Sequence, residues 1–403
     1  MTDFRPYQRQ HLFLLVGGNT LPNYVSARLL AVAQGNLYLI HSSGTQTQAS
    51  NLEQQLLQDG YQVELRSLQD ADSNAYKIRE LVRGILAQIP TDESIGLNYT
   101  GGTKAMSVHA YIAFGRAKRQ TLFTYLNPRD RAIMVDHANN PAEKLPISAQ
   151  DISLSLQTLF QLHNTPLADE TPNSAHLPQL SGLLAQICSS AQTSTQWRNW
   201  WYQSTLRYAE DRIFRDFIDL SRLPLKLVEF IRDRLSNRNS RVKSAYLAQN
   251  LGFRSVIEMS NWFGGLWLEH YTLACIKTLV DSHGIADVGR NFKLSVDGTY
   301  GFEFDVAFTR CYQLYALSCT TSERRKLCKQ KLLEAAHRAQ QMGGSEAKVA
   351  LVCCNLDPES LKAELSTLPN PVKVKVFSLR TTVNLTGEIS NWIAEDIIND
   401  LDF

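Results

Sequence analysis

The sequence is marked first by what it lacks. Its 403 residues hold no apolar run of the roughly 18 that a membrane helix needs. Met1 to Gln10 is polar and carries no signal-peptide core, so the expected setting is cytoplasmic, with no membrane contact. Seven cysteines are present: Cys188, Cys275, Cys311, Cys319, Cys328, Cys353 and Cys354. Their number is odd and none has the spacing of a zinc site or redox pair, so they read as reduced thiols. A formal net charge of +2 excludes a bulk electrostatic pull on nucleic acid; any basic surface must be local. No Walker pattern, internal repeat or low-complexity tract occurs, which removes the commonest triphosphate pocket and repeat architectures. The length suits two or three domains with substantial cores.

What is present begins with Asn98-Tyr99-Thr100-Gly101-Gly102-Thr103-Lys104-Ala105-Met106-Ser107. It lies between an apolar run, Ser94 to Leu97, and helical spacing through Met106, Ala110, Ala113 and Phe114. Strand, Gly-rich turn and helix in that order leave unpaired backbone N–H groups at a helix N-terminus, where phosphate binds. Gly101 and Gly102 allow close approach, Thr100 and Thr103 add hydroxyls, and Lys104 adds a cation. A Gly-Gly turn capped by a threonine reads the same way.

Alternating elements fill the first part of the chain. Strands are expected at His11 to Val16, Asn36 to His41, Tyr61 to Leu68, Ile95 to Tyr99, 121–126 and 132–137. Helices are expected after Gly17-Gly18-Asn19-Thr20 through Ala33, over Leu52 to Leu57 with a stop at Gly60, from Asn74 to Ile89, and over 103–116. This order predicts a parallel sheet covered on both faces, with ligands bound beyond the carboxyl ends of its strands. The loops Gly17 to Thr20, Ser42-Ser43-Gly44-Thr45 and Thr100 to Lys104 share that rim.

His163 to Ser181, with Pro166, Pro172 and Pro178, reads as a linker. Leu183 to about Met259 reads as helical and rich in Arg and Trp. Within it, Ser244 to Phe263 resembles a helix-turn-helix around Ala248 and Gly252, a pattern that a plain helical connector also gives. Beyond it, Trp262 to Asp281 has helical spacing, and Asn291 to Ser295, Gly301 to Phe308 and Tyr312 to Cys319 read as strands. A long helix follows from about Thr321 to Met342, stopping at Gly343-Gly344. Strands at Lys348 to Cys353 and Val372 to Ser378 and a helix at Ile389 to Ile398 complete the chain.

Glu303 and Asp305 alternate with Phe302, Phe304, Val306 and Phe308, so both carboxylates fall on one strand face. A half-exposed strand with an acidic outer face has this pattern. So does a hard-cation site for Mg²⁺ or Mn²⁺ that activates water against a phosphate, with Glu269 as a further ligand.

Helix-Glu, strand Glu-x-Asp, hairpin strand and long helix resemble the PD-(D/E)XK restriction-endonuclease-like fold. Together with Thr100-Gly101-Gly102-Thr103-Lys104-x-Met106, the chain resembles the CRISPR-associated ancillary nucleases that join a CARF sensor to such a domain. The resemblance implies an α/β chain with a Rossmann-like CARF domain over 1–160, a linker over 161–182, a helical connector over 183–260 and a restriction-endonuclease-like α/β domain over 261–403. It implies a homodimer that binds cyclic oligoadenylate, cyclic tetra-adenylate among its forms, and then cleaves RNA or DNA with Mg²⁺ or Mn²⁺. Carried over, Thr103 and Lys104 contact the ligand and Gly17, Gly18, Asn19, Thr20, Ser42, Ser43, Thr45, Thr100, Gly101 and Gly102 line its pocket. Glu303 and Asp305 hold the metal, and Glu269 joins them.

One departure stands out. Where the family carries an acid-x-Lys, this chain has Ser318-Cys319-Thr320, and a hydroxyl pair neither completes a metal shell nor stabilises developing charge well. Thr320 also fits a capping box with Glu323. Two rescues are open: Lys326 or Lys329, early in the long helix, reaches back into the site, or Glu303, Asp305 and Glu269 hold the metal without a fourth acid; solvated helix positions are the plainer reading of both lysines. The alternatives are a non-catalytic binding protein with a vestigial nuclease domain, and a sensor that degrades its own cyclic ligand.

Overall fold

Apolar strand runs separated by helices build the N-terminal unit. A computed structural model describes residues 2–137, 139–165, 167, 172–208, 211–235, 239–296, 299–355, 357–366, 374–382 and 384–398. The unit runs β1 (Arg9–Leu15), α1 (Leu21–Leu30), β2 (Ala31–His41), α2 (Gln46–Gln58), β3 (Gln62–Ser67), α3 (Ala75–Leu86), β4 (Ile95–Asn98), α4 (Lys104–Gly115), β5 (Thr121–Asn127), β6 (Ala132–His137), β7 (Asn140–Pro146) and α5 (Leu156–Leu162). The strand order is β3-β2-β1-β4-β5-β6-β7. The first five run parallel and the last two antiparallel. β1 pairs with both β2 and β4, so the winding reverses there and opens a crevice at the strands' carboxyl ends. The loops that follow β1 and β4 meet at that crevice. The first helix is shorter than its spacing suggested: Ala31 turns extended and joins the ladder opposite Arg9, ending α1 at Leu30.

The connector is not purely helical. It comprises α6 (Pro178–Ser189), α7 (Ala191–Ser204), β8 (Thr205–Tyr208), β9 (Asp211–Phe214), β10 (Phe217–Asp219), α8 (Leu225–Arg232), β11 (Arg241–Lys243), α9 (Ser244–Asn250) and α10 (Val256–Asn261). The β8–β9 hairpin and the β10–β11 ladder correct the helical reading. Trp197 and Trp200 do set a helical stripe in α7, but the alternation after Thr205 is a strand pattern that the Arg-rich composition hid. The expected linker loses its end to α6, which starts at Pro178, a residue suited to a first helical turn; Pro166 and residues 168–171 lie outside the described residues. The presumed helix-turn-helix is α9 and α10 joined through Gly252 at φ +77°, with Leu247, Ala248 and Met259 in the connector core.

The C-terminal part holds α11 (Trp267–Lys277), α12 (Val280–His283), β12 (Ile285–Val296), β13 (Thr299–Arg310), β14 (Gln313–Thr320), α13 (Arg325–Gly343), β15 (Lys348–Cys353), α14 (Pro358–Ser366), β16 (Val374–Ser378) and α15 (Leu385–Ile398). The five strands lie in chain order, antiparallel from β12 to β14 and parallel from β14 to β16. β7, α5 and α14 had no expectation; β7 is mostly polar and short of the strand signature.

The two sheets share a core. Phe160 of α5 is fully buried, its ring 5.8 Å from Phe292 on β12 and 6.2 Å from Phe304 on β13. The Leu156 amide donates to Asp287 at 2.9 Å, and Arg131 donates to the Gln313 side-chain oxygen at 3.1 Å. Phe160→Ala is expected to cost about 3–5 kcal/mol, as for other buried aromatic truncations. Urea denaturation of the whole chain checks this, and a loss under about 1 kcal/mol would show that the shared core does not carry the joint.

Candidate functional site

At the rim, two loops meet backbone to backbone. A Cβ added to Gly101 would stand 2.2 Å from the Leu15 carbonyl oxygen, and one on Gly17 would stand 3.0 Å from the Gly102 nitrogen. Gly102 itself has φ +74°. These glycines are therefore required by the crossing of the β1 and β4 loops, a constraint the sequence reading had assigned to ligand approach. Thr100 is likewise engaged: its hydroxyl donates to Asn98 Oδ1 at 2.8 Å and accepts from the Leu126 amide at 2.7 Å. Thr103 caps α4, accepting from the Met106 amide at 3.2 Å and donating to the Asp72 carbonyl at 3.0 Å. The capping reading of the motif holds, and the cap sets the N-terminus of α4 at the crevice.

The remaining rim residues divide. Lys104 is exposed at the head of α4, and Ser43 is exposed on the second loop. The Ser42 amide donates to Thr45 Oγ1 at 3.1 Å, which closes that loop on itself. Asn19 Oδ1 accepts from the Leu21 amide at 3.0 Å and so opens α1. Thr20 is corrected: it is fully buried and donates to the Leu162 carbonyl at 2.9 Å, away from the crevice. Gly18 faces a separate cavity of about 440 Å³ shared with Leu162, His163 and α13 residues Arg338 and Met342.

The second site lies on the C-terminal sheet. Asp305 of β13 is nearly buried, and its Oδ2 accepts from Ser318 Oγ at 2.9 Å and from the Cys319 amide at 2.6 Å. Lys331 of α13 brings its Nζ to 3.9 Å from the same oxygen. Glu269 of α11 is buried, and its Oε2 accepts no hydrogen bond. Arg290 Nη1 is 4.0 Å away. Burial, then the Asp305 charge, pushes the Glu269 carboxyl up to about 8. The Cys319 thiol donates to Thr272 Oγ1 at 3.6 Å, and burial raises it well above its usual range, so it is not a nucleophile.

Glu303 is exposed on β13, two residues before Asp305, and its charge adds to the rise of the Glu269 carboxyl. Lys326 is exposed and makes no ion pair with Asp305; the ammonium comes from Lys331. Its signal was present in the sequence, since Lys331 falls on the buried stripe of Cys328, Leu332 and Ala335. Thr320 ends β14, and its hydroxyl accepts from the Ser322 amide at 3.2 Å. The capping box is absent: α13 begins at Arg325 without a side-chain cap, and Glu323 is held instead by Arg198 at 2.6 Å and by Arg380. Among the described residues, no three His, Cys, Asp or Glu side chains converge as a metal shell. One oxygen of Asp305 accepts two hydrogen bonds and has the Lys331 ammonium 3.9 Å away, and burial raises the Glu269 carboxyl beside it.

With this geometry in hand, comparisons place the N-terminal unit. Residues 12–156 match the Card1 CARF domain, and the Rossmann-like sheet is a CARF fold. Among curated protein sequences none matches this chain. Protein VC1899 from Vibrio cholerae superposes with a TM-score of 0.73 at 14% identity, over 96% of this chain and 99% of that one. Can2 from Sulfobacillus thermosulfidooxidans, solved in complex with cyclic tetra-adenylate, gives 0.68 at 16% identity, over 96% and 97%. A type III CRISPR defence DNA nuclease activated by cyclic oligoadenylate gives 0.54 at 14% identity, over 90% of this chain and 53% of that one. These likenesses establish the fold, including a further α/β region after the CARF sheet. No helix among the described residues is long and apolar enough to cross a membrane.

Glu269 generates a pH signature. Its native carboxyl holds a proton that the unfolded chain releases near 4.5. Stability is therefore full below that value and falls as pH rises toward about 8. Glu269→Gln should flatten this slope in denaturation curves taken at pH steps across the window. An unchanged slope would show that the carboxyl is not desolvated as described.

Proposed function

We propose that this protein is a cyclic-oligoadenylate receptor of type III CRISPR defence, acting as a homodimer that holds the nucleotide ring across its two-fold. The observation that carries the reading is the exposed Lys104 at the capped N-terminus of α4, set at the winding reversal of a sheet that matches the Card1 CARF domain. A helix N-terminus plus a flanking cation suits a phosphodiester ring. The ligand held by Can2 and the activator of the CRISPR DNA nuclease supply its chemical class. The dimer has support of its own: α4 exposes Val108 at 54% and Tyr111 at 37%, an apolar face beside Lys104 suited to burial by a second copy.

The effector half is restriction-endonuclease-like in this reading and does not cut by metal chemistry. Ser318, the Cys319 amide and Lys331 neutralise Asp305 internally, leaving the acid pair without a ligand set for a hard cation. A second reading, metal-dependent cleavage of RNA or DNA, has one observation in its favour. Lys331 brings an ammonium to Asp305 from α13, where the strand itself supplies none.

Calorimetry with cyclic tetra-adenylate tests the receptor. The parent chain should bind, and Lys104→Ala should lose on the order of 1.5–3 kcal/mol, the worth of a charge-assisted phosphate contact. Equal affinity in the variant would overturn the site. Incubation with single-stranded RNA or DNA, cyclic tetra-adenylate and Mn²⁺ should give no cleavage beyond an EDTA control; cutting that Asp305→Ala abolishes would replace the first reading of the effector with the second.

A further inference from the structure

At the edge of the N-terminal sheet opposite the crevice, a cleft of about 970 Å³ opens where β1, β4 and β5 begin and α3 and α4 end. Its walls carry Arg9, Arg83, Arg116, Lys118 and Arg119, in a chain whose formal charge is only +2. The acids among them are Asp92 and Glu93, and Glu93 is engaged, its Oε2 2.5 Å from His11 Nε2. Helix dipoles account for part of this. Arg83 lies in the last turn of α3 and Arg116 caps the carboxyl end of α4, where cations are favoured. They do not account for Arg9 and Arg119, which are partly buried and bonded to neutral acceptors. Arg119 donates to the carbonyls of Ile89 at 3.1 Å, Pro90 at 2.6 Å and Glu93 at 2.6 Å. Arg9 donates to those of Pro6 at 3.0 Å and Gln8 at 2.8 Å. Burial depresses the Arg9 guanidinium with no carboxylate to offset it. The carbonyls fix both forks but leave their charge uncompensated, and a desolvated cation without a counter-charge is costly. Lys118 adds a separate sign. Just past α4 it holds a left-handed backbone, φ +51°, which glycine adopts without strain. A long cationic side chain is kept there against the preference of its own backbone.

We propose that this cleft binds an oligophosphate chain, free as tripolyphosphate or carried by a nucleoside triphosphate, between the fixed forks of Arg9 and Arg119 and the exposed Arg83, Arg116 and Lys118. The forks keep N–H groups to give: a guanidinium has five, of which carbonyls take three from Arg119 and two from Arg9. Phosphate suits such planar forks, which bind it bidentately. No aromatic side chain lines the cleft, so nothing there stacks on a base and recognition ends at the phosphates. One phosphate carries too little charge to engage all these cations, whereas a chain of three multiplies the contacts. An acidic peptide carries one charge per flexible side chain, and ordering those side chains costs entropy that a compact oligophosphate keeps low. The site is independent of the cyclic-nucleotide crevice, which lies at the other ends of the same strands.

Calorimetry of the full chain in EDTA with tripolyphosphate, adenosine triphosphate and orthophosphate tests the proposal. Tripolyphosphate and adenosine triphosphate should bind with similar affinity, and orthophosphate roughly tenfold more weakly, because it makes fewer charge-assisted contacts. Arg83→Gln, Arg116→Gln and Lys118→Gln should each weaken tripolyphosphate roughly tenfold, the effect of losing one such contact. Added salt should weaken binding by the parent. All three side chains are exposed, and an unchanged Tm reports that each variant folds. Lys118→Gly separates binding from folding: it removes the cation and relieves the left-handed backbone, so the Tm should hold or rise while binding weakens. Saturating cyclic tetra-adenylate should leave tripolyphosphate bound; displacement would put the chain in the crevice and overturn the cleft without touching the receptor reading. No binding by the parent, variants that bind as the parent does, or orthophosphate bound as tightly as tripolyphosphate would also overturn it. So would adenosine triphosphate bound far more tightly than the bare chain, or a preference for oligoglutamate or a single-stranded oligonucleotide.

Discussion

One helix touches both ends of this molecule. α13 is 19 residues long, about 28 Å at 1.5 Å per residue. Past its last turn, Gly344 lies against the Asn19 side chain of the first rim loop, so closely that a Cβ there would stand 2.4 Å from Asn19 Nδ2. Nearby, the Thr165 hydroxyl meets Met342 Sδ at 3.0 Å. Near its middle the same helix carries Lys331 to Asp305. The rim loop and the acid site are thus fastened to one rigid rod, and the shared core around Phe160 holds that rod to both sheets.

At the acid site, the Ser318 hydroxyl and the Cys319 amide of β14 turn toward Asp305 on the neighbouring strand. The buried acid Glu269 has its carboxyl raised by burial and by the Asp305 charge, with Arg290 4.0 Å away.

Much of the fold was legible because its strands are short apolar runs bounded by Gly, Ser and Asn, and its helices keep the 3.6 period. Where two signals competed, the reading slipped. Ala31 to Ala33 suits a helix as well as a strand, and only the ladder with Arg9 decides it. The β8–β9 hairpin lies inside an Arg- and Trp-rich stretch whose composition resembles α7. At the rim, Lys104 was readable from its place after the Gly-Gly turn, whereas the burial of Thr20 depends on α5, far along the chain. Lys331 was missed because proximity to the expected acid-x-Lys was given more weight than helical phase.

A structure of the full chain with cyclic tetra-adenylate would test the receptor most directly. The ring should lie on a two-fold between two copies, with a phosphate at each Lys104 and each α4 N-terminus. A ring lodged elsewhere, or a single copy with the crevice closed by side chains, would contradict it.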